Sequence, residues 1–105
     1  TKLEKKLNLI IKHLDNPDIF EILDIRGLDM NQGPYARVKI FNRTYKMWIT
    51  QDDDLWIENF PIDNTSADGK LPGYQDYIIE IAELLNDIND AGGIEEYKIS
   101  KKYNL

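Results

Sequence analysis

Apolar residues along this chain keep two different periods, and the change from one to the other lays out the fold. Leu3, Leu7, Ile10, Ile11 and Leu14 recur at helical spacing after Thr1-Lys2-Leu3-Glu4, which fits a capping box, and Asn16-Pro17 should stop that helix. Ile19 to Leu28 admits two readings. Asn16-Pro17-Asp18 could open a second helix, but Glu21-Ile22-Leu23-Asp24-Ile25-Arg26 alternates in part and ends in Gly27, which favours a strand.

From Tyr35 the period is two. Tyr35 to Phe41 alternates, and Asn42-Arg43 reads as a tight turn that sets Phe41 opposite Thr44, Lys39 opposite Lys46 and Arg37 opposite Trp48. Ala36, Val38 and Ile40 then share a face with Tyr45, Met47 and Ile49. A loop at Gln51-Asp52-Asp53 pairs Trp48 with Trp56 and Lys46 with Glu58, and adds Leu55 and Ile57 to the apolar side. Asp63 to Gly69 supplies turn chemistry, in a loop that ends at Pro72-Gly73.

Helical spacing then returns. Tyr74, Tyr77, Ile78, Ile81, Leu84, Leu85 and Ile88 form one stripe, and Gly92-Gly93 is the expected C-cap. Ile94 to Ile99 reads as a short extended segment, with residues 100–105 frayed. The expectation is a single α+β domain over residues 1–105. It has two layers: an N-terminal helix, an antiparallel meander of three or four strands, and a C-terminal amphipathic helix.

Charge changes the picture most in that last helix. Residues 71–97 contain no lysine or arginine and seven carboxylates. Asp76, Glu80, Glu83, Asp87 and Asp90 follow one another at spacings of 4, 3, 4 and 3, opposite the apolar stripe. At about 100° per residue they fall within an arc of roughly 80°. Like charges at this spacing cost an isolated helix about 0.2–0.5 kcal/mol per pair. Residues 1–50 carry a net +3, residues 51–70 a net −5 and the tail from Lys98 a net +3, within a total of −6. The acid is therefore concentrated in one region. Such a field repels nucleic acid and anionic membranes and attracts basic proteins.

Two surfaces are candidates for function. One is the anionic ridge of Asp76, Glu80, Glu83, Asp87 and Asp90 with the acidic loop Asp52, Asp53 and Asp54. It can stand in for a phosphate backbone, or it can be a solvated face balanced by the lysines of the first helix or of the tail. The other is the non-aliphatic sheet face, with Arg37, Lys39, Thr44, Lys46, Phe41, Trp48 and Trp56 and, in this reading, Glu58 as its only acid. Such a face can stack on bases or serve as a protein contact, or it can lie covered by a helix or a second subunit.

Other chemistry is thin. Cysteine is absent, which removes disulfides, thiolate nucleophiles and cysteine metal sites, and His13 is the one histidine. Asn64-x-Ser66-x-Asp68-Gly69 resembles the start of a calcium loop. It has Asn at the first ligand position and Gln75 where a bidentate Glu belongs. No metal, cofactor or catalytic group is expected. The helix–sheet–helix order is similar to the double-stranded-RNA-binding fold, but the last helix opens Tyr74-Gln75-Asp76, without that fold's basic residues.

The N-terminus lacks a signal peptide's apolar run, so the expected location is the cytoplasm. Fifteen isoleucines, ten lysines and nine asparagines against four alanines suggest an AT-rich genome, that of a low-GC bacterium or its phages. The leading expectation is a small acidic inhibitor, a nucleic-acid mimic from a phage or mobile element or an immunity protein. It would block a basic surface of a nuclease or other nucleic-acid enzyme, without itself binding nucleic acid or membrane. The alternative is a non-catalytic binding or assembly module that uses Arg37, Lys39, Lys46, Trp48 and Trp56.

Overall fold

A computed structural model describes residues 1–29, 33–62 and 75–103, with side chains described for all of these except 28, 29 and 75–77. The turn expected at 63–69, the calcium-like run and Pro72-Gly73 lie outside them, as do Tyr74 and the side chains of Asp76 and Tyr77.

Helix α1 spans Lys2–Lys12, and the Thr1 hydroxyl caps it by accepting the Glu4 amide at 3.2 Å. Its buried residues are Leu3, Leu7 and Ile10, as the spacing predicts. Asn16-Pro17 does not open a second helix. It makes a single 3₁₀ turn, Pro17–Ile19, capped by the Asn16 carboxamide. Strand β1, Phe20–Asp29, follows directly.

The sheet is an antiparallel meander in the order β1-β2-β3-β4, with β2 at Gly33–Ile40, β3 at Arg43–Ile49 and β4 at Leu55–Ile57. In β1 the register jumps between Ile22, opposite Val38, and Asp24, opposite Arg37. Leu23 is the extra residue of a β-bulge. The insertion explains the imperfect alternation, because it returns Ile25 to the core side and sends Asp24 to the other.

The β2–β3 turn differs from expectation. Ile40 pairs with Arg43, so the loop is Phe41-Asn42 and not Asn42-Arg43. Phe41 takes φ 57°, gives its amide to the Ile19 carbonyl at 2.8 Å and packs against the core. Positive φ at the first loop residue suits a II′-type hairpin, where glycine is usual. Tertiary contact has therefore placed the turn against local preference. The register moves by two residues, which preserves the faces and changes the partners: Tyr35 faces Trp48, Arg37 faces Lys46, and Lys39 faces Thr44.

The β3–β4 connection is as expected. Thr50 and Asp54 close the loop, and Asp53 takes φ 64° at its third position, the left-handed residue of a three-residue hairpin. Trp48 pairs with Trp56, and the Glu58 amide continues the ladder onto the Lys46 carbonyl. Asn59, at φ 58°, then turns the chain so that Phe60 and Ile62 are buried.

Helix α2, Gln75–Ala91, ends in a Schellman motif: Gly92 bonds back to Asn89 and Gly93 to Ile88, with Gly92 at φ 101°. The extended segment expected at Ile94–Ile99 is instead helix α3, Ile94–Lys102. Glu95 and Glu96 in its first turn and Lys101 and Lys102 in its last complement the helix dipole, which compensates for a helix with no fully buried residue.

One core joins the two layers. Leu3, Leu7 and Ile10 of α1 and Ile78, Ile81, Leu85 and Ile88 of α2 close over Ala36, Val38, Ile40, Met47, Leu55 and Ile57 of the sheet. Tyr45 belongs to it, edge-on to Phe60 at 5.3 Å, and burial pushes its phenol pKa up. Truncating Leu7 or Met47 to alanine would cost about 2–5 kcal/mol. Asn86 ties the helices: its Oδ1 accepts the Asp15 amide at 2.8 Å and its Nδ2 donates to the His13 carbonyl at 3.2 Å.

Candidate functional site

Burying Ile78, Ile81, Ala82, Leu84, Leu85 and Ile88 fixes the rotation of α2, and that rotation leaves Glu80, Glu83, Asp87 and Asp90 exposed. These four ridge carboxylates rise over about 15 Å of helix. Asp76 lies in the same helix, but its side chain is outside the described residues. Among the described residues the salt bridges are Lys2–Asp53, Arg26–Asp24, Arg37–Asp24 and Lys98–Glu95, and none involves the four ridge carboxylates. Lys101 and Lys102 of α3 sit over the Tyr97 and Tyr103 rings instead. The last turn of α2 has no basic residue, so Asp90 also opposes the helix dipole. Within the described chain, none of these four carboxylates forms an ion pair.

The acidic loop is separate from the C-terminal half of that ridge. Asp53 Oδ1 lies 3.3 Å from Lys2 Nζ at the start of α1. Asn86, next to Asp87, contacts the other end of α1, about 16 Å away along its axis. Asp52 is exposed, while Asp54 is half-buried and its amide reaches the Thr50 hydroxyl. The Lys2–Asp53 pair is exposed enough to contribute little to stability.

On the other side of the sheet the corrected register gathers an aromatic row. Tyr35, Trp48 and Trp56 are successive cross-strand neighbours on β2, β3 and β4, all half-buried. Lys46 Nζ lies 4.6 Å from the Tyr35 ring centre and 5.7 Å from that of Trp48. Arg37, directly opposite Lys46, is held by Asp24: Nη2 donates to Oδ2 at 2.7 Å and Nε to Oδ1 at 3.0 Å. The fork of hydrogen bonds from Arg37 holds the Asp24 carboxyl below its usual range, and Asp24 raises the Arg37 guanidinium in turn. Without the rings and the carboxylate, two cations directly opposed across strands would repel.

Glu58 is therefore not the only acid on this face. β1 adds Glu21 opposite Lys39, Asp24 opposite Arg37, and Arg26 opposite Tyr35. Phe41, expected here, lies in the turn against the core. Tyr35 shares the odd-numbered parity of Arg37 and Lys39, which was the available signal for it. Asp24 had none, because the bulge at Leu23 inverts the parity of β1.

Among the described residues no group of histidines and carboxylates could hold a metal ion, and no helix is long and apolar enough to cross a membrane. No protein-family model, curated protein or solved structure matches this chain.

Proposed function

We propose that the protein is a non-catalytic inhibitor that lays its anionic helix across a basic surface of a partner, the surface with which that partner grips nucleic acid. The single observation that carries this reading is the isolation of Glu80, Glu83, Asp87 and Asp90, which are exposed, aligned and outside every salt bridge among the described residues. Four like charges on one helix, the last against its dipole, lower stability, and no ion pair among the described residues offsets them. A cationic partner supplies that offset. The partner class this implies is a nuclease or another nucleic-acid enzyme in the same cytoplasm, a defence enzyme met by a phage or mobile element or a toxin with its immunity protein. Asp52, Asp53 and Asp54 would form a separate, secondary contact.

The test is capture from a lysate of the native host at about 0.1 M and 1 M salt, where the screening length falls from about 10 Å to about 3 Å. The wild-type chain is compared with E80Q/E83Q/D87N. The reading requires a captured nucleic-acid enzyme that is inhibited by the wild type, released by salt and lost with the triple variant. Capture that the triple variant leaves intact removes the ridge from the mechanism.

The second reading, a binding or assembly module working through the sheet face, is favoured by one observation, the cross-strand row of Tyr35, Trp48 and Trp56 beside Arg37 and Lys46. Aromatic residues beside arginine are the composition of binding hot spots.

A further inference from the structure

The anionic surface does not stop at the end of α2. Asp90 lies in its last turn, and after Gly92-Gly93 the chain enters α3, whose first turn carries Glu95 and Glu96. The β2–β3 turn faces this corner across a groove of about 200 Å³, whose lining includes Phe41, Arg43, Pro61, Ile94, Glu95 and Glu96. Gly93 leaves room for one of these carboxylates, since a Cβ there would come 3.0 Å from Glu96 Oε2.

Size and charge limit what the groove can hold. Pockets for drug-sized ligands and cofactors run to about 300–1,000 Å³, so this one suits a single side chain and not a nucleotide. Phe41, Pro61 and Ile94 offer apolar surface to a stem, and the exposed acids ask for a positive head. Glu96 forms no ion pair among the described residues, Glu95 shares Lys98 at 3.9 Å, and Asp90 is exposed nearby along the chain. Among the described lining residues Arg43 is the one cation, and it too forms no ion pair. An amphipathic cation satisfies these walls, because long basic side chains bury an aliphatic stem and keep the charged head outside. Arginine suits better than lysine: its guanidinium is weakly hydrated and meets a carboxylate with two parallel hydrogen bonds. Arginine is also enriched in protein interfaces, where lysine is depleted.

We infer that this groove receives an arginine side chain of the basic partner, with its stem against Phe41, Pro61 and Ile94 and its guanidinium at Glu96. The inference rests on the proposed ridge-bound partner, because the groove continues the ridge past Asp90 and anchors the same basic surface at one end. A row of like charges alone lets a basic surface slide along it, whereas one filled pocket sets the register.

Titrating n-propylguanidinium, an arginine side chain cut at Cβ, into isotope-labelled protein tests the groove by nuclear magnetic resonance. Sodium butanoate, an anion with the same stem, is the control. The amides of Phe41, Ile94 and Glu96 should shift and saturate with the cation, and butanoate should leave them unmoved. E96Q should weaken binding about threefold and R43Q should tighten it about threefold, the size expected of one exposed charge. Both side chains are exposed and outside every salt bridge among the described residues, so neither change should move the thermal midpoint. Absence of saturating shifts at these amides overturns the inference, as does stronger binding of butanoate or an E96Q variant that binds like the wild type. Shifts confined to Glu80, Glu83 and Asp87 place the cation on the ridge and also overturn it. In the lysate capture, E96Q should weaken the complex about threefold. A complex indifferent to E96Q overturns the inference even where E80Q/E83Q/D87N abolishes capture, so the groove and the ridge fail separately.

Discussion

Asp24 and Arg37 meet across β1 and β2 as a two-pronged ion pair, with contacts of 2.7 and 3.0 Å, next to the residue that interrupts β1. The pair fixes a pH dependence. The Asp24 carboxyl is held below 3.8, mainly by its hydrogen bonds from Arg37. Its stabilising contribution is therefore fully present above that value and is lost as pH falls through the lower, folded-state value. Asp24→Asn should lower the thermal midpoint at pH 7. The gap from wild type should close as the scan is taken below pH 3.8. A gap that persists unchanged at the acid end would mean that the carboxylate's charge is not what Asp24 contributes.

Asn86 is the second test. Replacing it with alanine leaves the Asp15 amide and the His13 carbonyl without their partner. Water can reach both groups, so the loss should be about 1–2 kcal/mol in urea unfolding, the lower part of the range for broken hydrogen bonds. Asn86→Asp keeps the acceptor and loses the donor, and should fall between the two.

Two glycines should respond oppositely. Gly92 needs φ 101°, so Gly92→Ala should cost about 1–2 kcal/mol. Gly27 has ordinary φ and open space around its Cβ position. Gly27→Ala should be neutral, or stabilising by about 0.4–1 kcal/mol through the unfolded chain.

The ridge makes a prediction for the protein alone. E80Q/E83Q/D87N should fold as the wild type does and be roughly 0.5–1 kcal/mol more stable at low salt, because i,i+3 and i,i+4 repulsion is relieved. Chemical unfolding at about 1 M salt should erase most of that difference. A less stable variant would reveal an internal cation that the ridge serves.

Fluorescence addresses the tryptophans. Trp48 and Trp56 are half-buried, so dilute protein should be quenched in part by iodide.

The helix–meander–helix order and the aliphatic face were legible because each rests on a period sustained over many residues. The ridge was legible for the same reason: once Ile81, Leu85 and Ile88 must be inside, Glu83 and Asp87 must be outside. What escaped depended on single residues. The β2–β3 turn follows Phe41, whose amide and ring are claimed by Ile19 and the core, contacts that no turn propensity records. Asp24 reaches Arg37 only because of one inserted residue. Helix α3 has weak periodicity, and its signal was charge order, acids first and lysines last. The aromatic row needed the corrected pairing before Tyr35 could be placed beside Trp48.

That inserted residue has a consequence for solubility. β1 is an outer strand of ten residues, and one side of its backbone is not matched within the sheet. A flat strand of that length is a template on which foreign strands can add, the first step of amyloid-like growth. The bulge at Leu23, with the second register break between Arg26 and Asp29, interrupts the run of evenly spaced donors and acceptors, so an incoming strand cannot zip along its whole length. A chain lacking Leu23 should keep its alternation and yet form thioflavin-positive fibrils with a shorter lag than the wild type.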